Sequence, residues 1–215
     1  MRHDARRCHA GKNAEATVRR AVDAFGGLDA AFNIAGTTRM GAITDLSEED
    51  WRFSLDLCLT GVFFAMKHAA RQMIAGGVRG AIVNIASLNS VVPGWGMSAY
   101  CASKAGLEML GKSGALEMSV HGIRVNTVSP GLTATPAANA LTPDMIEKFM
   151  ERIPMKRSGS AEDQADACLF LGSDLAGYIT GVNLIVDGGW AVTGYPDMEP
   201  FYGRNRDPRW APRAA

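Results

Sequence analysis

Residues 98–106 read Ser98-Ala99-Tyr100-Cys101-Ala102-Ser103-Lys104-Ala105-Gly106, and the fold is read outward from them. Ala102, Ala105, Leu107, Met109, Leu110, Ala115 and Leu116 recur at helical spacing and predict one long helix from about Met97 to Val120. Tyr100 and Lys104 stand four apart, so one face of that helix carries a phenol and an ammonium. A free tyrosine titrates near pH ~10. A neighbouring positive charge is expected to lower that value and fit the phenol for proton transfer at neutral pH. Tyr-x-x-x-Lys alone is more often a packed tyrosine beside a solvated lysine.

The residues upstream change that balance. Gly80-Ala-Ile-Val-Asn-Ile-Ala-Ser87 reads as a buried strand ending in a hydroxyl, thirteen residues before Tyr100. A loop containing Pro93 follows. Strand, serine, loop and Tyr-x-x-x-Lys at a helix start form a specific combination.

In this combination the chain resembles the short-chain dehydrogenase/reductase family. The matching segments are Asn33-Ile-Ala35-Gly36, Thr60-Gly-Val-Phe63, Asn84-Ile-Ala-Ser87, Tyr100-Cys-Ala-Ser-Lys104, Arg124-Val-Asn-Thr-Val-Ser-Pro130-Gly131, Gly181-Val-Asn183 and Val186-Asp-Gly-Gly189. They run in family order from about residue 13 to 191. The resemblance implies an NAD(P)-dependent oxidoreductase that interconverts a secondary alcohol and a ketone by hydride transfer. Tyr100 would be the general acid/base, Ser87 would hold the reacting oxygen, and Lys104 would lower the tyrosine pKa and bind the nicotinamide ribose. Asn33, Ala35 and Gly36 would lie on the adenosine side of NAD or NADP. Pro130, Gly131 and Leu132 would line the nicotinamide, with Thr133 or Thr135 near its carboxamide or the phosphates. The family usually carries Asn where this chain has Cys58, and a thiol is a weaker hydrogen-bonding group.

Around these motifs the periodicity alternates. Helices are expected over 13–25, from about residue 50 to 74, and over 160–171 after the capping box Ser160-Ala-Glu-Asp163. Strands are expected over 28–33, 80–86, 122–128 and 183–186. Strands alternating with helices predict an α/β fold, a parallel sheet covered on both faces. By resemblance this is a Rossmann-like doubly wound sheet. No glycine-rich turn stands upstream of Asn33, so the sheet is expected to lack its first strands, on the order of 50–60 residues. Residues 1–193 are expected to form that single domain, and 194–215 an extended or disordered tail.

Composition narrows the function classes. The 22 Lys+Arg balance 22 Asp+Glu, which disfavours general attraction to nucleic acid or an anionic membrane. No apolar run is long enough for a bilayer. Cys8, Cys58, Cys101 and Cys168 are scattered, as for free thiols in a reducing cytoplasm. His3, His9, His68 and His121 show no metal spacing, so no metal is expected. The family pairs subunits through helices near 50–75 and 97–120, which implies a homo-oligomer, dimer or tetramer. The segment from Thr133 to Arg157 resembles the family's substrate lid. Its Ala137, Ala138, Leu141, Met145, Phe149 and Met150, with Trp95 and Met97, suggest an apolar pocket for a small-molecule alcohol or ketone. Two other readings stay open from sequence: a non-catalytic scaffold on this fold, and epimerisation or dehydration of nucleotide sugars.

Overall fold

The computed structural model describes residues 11–135 and 141–194. Four strands form one parallel sheet in the order β1-β2-β3-β4: β1 Ala30–Asn33, β2 Ala81–Ile85, β3 Arg124–Pro130 and β4 Asn183–Val186. Between them run α1 Gly11–Phe25, α2 Glu48–Leu55, α3 Gly61–Ala75, α4 Ser98–Met118, α5 Pro143–Arg152 and α6 Ala161–Gly172. The expected parallel α/β architecture is observed, with strand ends shifted by one or two residues.

The strand register explains the layers. Ile82 stands beside Val125. Both face one core, where Val62, Met66 and Met73 of α3 and Leu107 of α4 pack. The next residue along β2, Val83, points the other way. With Val128 it meets Cys168 and Leu171 of α6. Alternation puts successive side chains on opposite faces. Both faces are covered, so residues 81–84 of β2 and 125–129 of β3 are buried in succession, Asn84, Asn126, Thr127 and Ser129 among them. A third cluster, with Leu88, Met145, Phe149, Ile153 and Trp190, closes the C-terminal end of the sheet.

Local chemistry starts the helices. Ser47 accepts from the Asp50 amide at 3.1 Å, and Thr142 accepts from the Met145 amide at 3.3 Å ahead of Pro143. Ser160 and Asp163 form the predicted capping box. The helix expected from about residue 50 to 74 is not uniform. Asp56–Thr60 forms one π-helical turn between α2 and α3, in which the Gly61 amide reaches back to the Asp56 carbonyl. The wider turn lets adjacent Leu57 and Cys58 both be buried. Such turns are frequent at functional sites.

No described helix is long and apolar enough to cross a membrane. Residues 195–215 of the expected tail, and Ala137 and Ala138 of the expected lid, lie outside the described residues.

Candidate active site

Parallel sheets present ligands at the carboxyl ends of their strands. β2 runs into Ser87, and β3 ends at Pro130-Gly131. Ser87 begins a short 3₁₀ turn, Leu88–Ser90, and its Oγ accepts from the Asn89 amide at 3.2 Å. It is therefore both a strand-end cap and a hydroxyl set at the mouth of the sheet. Tyr100 sits in the first turn of α4, and its side chain lines the same cavity as Ser87.

Lys104 lies one turn further along α4 and is 2 % exposed. Its Nζ donates to the Ile85 carbonyl at 2.6 Å and stands 5.6 Å from the Tyr100 ring centroid. Burial lowers the Lys104 pKa, and Cys58 opposes that fall. The phenol does not follow the expected direction. Burial pushes Tyr100 up to about 12; the Cys58 and Cys101 thiols add to the rise, and the Ser87 hydrogen bond opposes it. The reason is desolvation: a phenolate in this enclosure loses more hydration than its neighbours return. Tyr100 is thus a phenol at neutral pH, the form that donates a proton.

Ser87, Tyr100, Gly36, Pro130, Gly131, Leu132, Thr133 and Thr135 line one cavity of about 330 Å³. Asn33 and Ala35 do not. They border an apolar hollow between α1 and α3. Asn33 Nδ2 donates to Asn84 Oδ1 at 2.8 Å, across the β1–β2 pairing. The Thr133 hydroxyl donates to the Gly131 carbonyl at 3.2 Å. Thr37, Thr38, Leu88, Asn89 and Trp190 also line the cavity, and no sequence signal singled them out. Thr37 and Thr38 follow directly on Asn33-Ile-Ala-Gly36, a position that could have pointed to them. Met97, Leu141 and Phe149 of the predicted apolar set are there too. Trp190 packs edge-on against Phe149, centroids 5.1 Å apart. Met145 is instead core, and Trp95 borders a separate hollow with residues 41–45.

Two glycines and one ammonium test whether a dinucleotide fits. A Cβ at Gly36 would lie 3.1 Å from Lys104 Nζ, so glycine keeps that passage open. A Cβ at Gly131 would lie 2.7 Å from Asp187 Cβ, which lets the two strand ends close on each other. Lys104 has three N–H donors, and Ile85 is its one acceptor among the described residues. A buried ammonium with donors to spare suits the hydroxyls of a ribose. Cys58 Sγ donates to the Thr37 carbonyl at 3.2 Å, under the same passage.

A phenol, a hydroxyl and a buried ammonium at the carboxyl edge of a parallel sheet define a dehydrogenase-like site, and comparison with known proteins agrees. Residues 8–191 match a family model described as Enoyl-(Acyl carrier protein) reductase. The chain is 41% identical over 172 residues to a 2,5-dichloro-2,5-cyclohexadiene-1,4-diol dehydrogenase of Sphingobium indicum, covering 80% of this chain and 68% of that one. It is 40% identical over 155 residues to the human (3R)-3-hydroxyacyl-CoA dehydrogenase, covering 72% of this chain and 59% of that one. A short-chain type dehydrogenase/reductase of Mycobacterium ulcerans superposes with a TM-score of 0.87 at 31% identity, over 92% of this chain and 74% of the other. The chain belongs to the short-chain dehydrogenase/reductase family, whose members are oxidoreductases that use NAD or NADP.

Proposed function

We propose that this chain interconverts a secondary alcohol and a ketone with NAD or NADP, and that Ser87, Tyr100 and Lys104 carry the chemistry. The observation that carries the reading is the meeting of the Ser87 and Tyr100 hydroxyls at one cavity, with Lys104 buried behind them. In the reducing direction both hydroxyls hydrogen-bond the carbonyl oxygen. Tyr100 gives its proton as negative charge develops, and Ser87 steadies that charge. Lys104 holds the ribose. Gly36, Pro130, Gly131, Leu132, Thr133 and Thr135 flank the dinucleotide, and Asn33 and Ala35 act through the backbone on its adenosine side. When bound, the nicotinamide supplies or takes up the hydride.

The walls Met97, Leu132, Leu141, Phe149 and Trp190 favour an apolar alcohol or ketone of modest size. The proposal includes a cytoplasmic homo-oligomer, dimer or tetramer, in which α3 and α4 meet their counterparts. Exposed Phe63, Met109 and Leu116 on those helices support it. Titration of NADH fluorescence, followed by a panel of secondary alcohols with NAD and with NADP, tests the reading. Saturable binding with turnover of an apolar alcohol is expected. A folded chain that binds neither dinucleotide would overturn it.

A further inference from the structure

Tyr100, Lys104 and Glu108 succeed one another at four-residue steps along α4, one slowly turning ridge. The first two serve the reaction proposed above. The third sits at the centre of a polar cluster that no motif announced. Glu108 Oε2 accepts from Ser90 Oγ at 3.1 Å and from Asn183 Nδ2 at 2.8 Å. Asn183 Oδ1 accepts in turn from Ser129 Oγ at 2.7 Å. Among the described residues Glu108 Oε1 takes only Lys112, at 2.7 Å on the solvent side.

These partners stand at telling places. Ser90 ends the turn that Ser87 begins, and its amide donates to the Ser87 carbonyl at 2.8 Å. Ser129 is fully buried and immediately precedes Pro130-Gly131, the opposite wall of the cleft. Asn183 opens β4, beside Thr127 of β3. One carboxylate therefore ties the Ser87 wall and the Pro130-Gly131 wall to the helix that carries Tyr100 and Lys104. The three shortest of these inward bonds all run toward the carboxylate: from Ser129 to Asn183, from Asn183 to Glu108, and from Ser90 to Glu108, with longer contacts between Ser90 Oγ and Ser129 Oγ at 3.4 Å and from Asn183 Nδ2 to Ser90 Oγ at 3.5 Å. A carboxylate has no proton of its own to give, so it is the terminus that fixes this order. Its pKa is lowered: burial opposes ionisation, but the bonds from Lys112, Ser90 and Asn183 outweigh it.

We propose that Glu108 is a positioning residue for the reaction. It holds the Ser87 and Pro130-Gly131 walls in register with Tyr100, without touching substrate or cofactor. The inference rests on the oxidoreductase reading above.

The hydrogen bonds themselves suggest the test. Both inward bonds fall on one oxygen, Oε2, so glutamine can keep both and turn its amide nitrogen toward Lys112. In the full chain, Glu108→Ala is expected to lower kcat per folded molecule about ten- to hundredfold, the scale on which misplaced reacting groups cost rate. Cofactor affinity is expected to stay within about threefold, and Glu108→Gln to recover kcat to within about threefold. A merely structural glutamate would shift the melting temperature and leave kcat per folded molecule unchanged; that result overturns the proposal. Glutamine as poor as alanine overturns it too. Should Glu108→Ala fail to fold, Ser90→Ala removes one neutral donor, and an unchanged kcat there refutes the idea. The ring resonance of carbon-13-labelled Tyr100 decides the matter without turnover. It is expected to move in Glu108→Ala and return in Glu108→Gln, and a resonance that does not move counts against positioning. A wild-type chain that turns over no alcohol would sink the oxidoreductase reading, while that resonance still judges Glu108.

Discussion

β3 and β1 belong to one sheet, yet they live in different surroundings. β3 has a strand on each side, and Val125 to Val128 and Ser129 are all buried. Among the described residues β1 pairs only with β2, and none of its four residues is fully buried. Phe25, Phe32 and Ile34 around it stand exposed. β3 is the more polar of the two, with Asn126, Thr127 and Ser129 among its buried residues, so composition does not make the difference. Neighbours do: a strand covered on both faces and paired on both edges is held in place. The cleft draws unevenly on the two. Its Ser87 and Gly131 walls issue from the two central strands, whereas the β1 side contributes the loop residues Gly36, Thr37 and Thr38, with Asn33 and Ala35 outside. The proposed chemistry sits where the framework is most completely determined by its own contacts.

The sharpest way to break this contrast is at the cleft itself. Tyr100→Phe removes the proton donor and keeps the ring. Turnover is expected to fall about 10²- to 10⁴-fold with the melting temperature little changed. More than about a tenth of the activity surviving would place the chemistry elsewhere. Next comes the core beneath. Leu107 is fully buried against β2 and β3, so Leu107→Ala should cost about 2–5 kcal/mol in denaturant unfolding.

The raised Tyr100 pKa predicts an asymmetric pH response. Reduction uses the protonated phenol, which persists throughout the neutral range, so its rate should be flat from about pH 6 to 9. Oxidation needs the phenolate, so kcat/KM should climb about tenfold per pH unit over that range. A bell centred near neutrality would mean that the phenol is not held as the structure has it. The smallest effect belongs to the margin. Phe25 is 87 % exposed, so Phe25→Ser should change stability by less than about 0.5 kcal/mol. A loss as large as that of Leu107→Ala would erase the distinction between centre and margin.

Much of this was legible beforehand. Tyr100 and Lys104 share one helix, and Ser87 ends one strand, so local periodicity placed all three, and the resemblance supplied their roles. The parallel sheet followed from the alternation of elements. Glu108 was missed although it continues the same four-residue ridge, because its partners Ser90, Ser129 and Asn183 come from three other places in the chain. The Asn33–Asn84 bond was illegible for a like reason: it depends on the register of two strands 51 residues apart. The π turn at Asp56–Thr60 answers to the burial of Leu57 and Cys58, which no helical pattern encodes.

The order of residues alone determined which groups the proposed reaction draws on: a phenol and an ammonium one turn apart, and a hydroxyl at a strand end. Those are short-range facts, set by helical and strand periodicity. Tertiary structure decided their charge state and company. It turned an expected acidic phenol into one held protonated at about 12 and buried the lysine under a backbone carbonyl. It also left Asn33 beside a different hollow from the cleft. Desolvation and strand register are sums over distant contacts, and only the folded chain performs them.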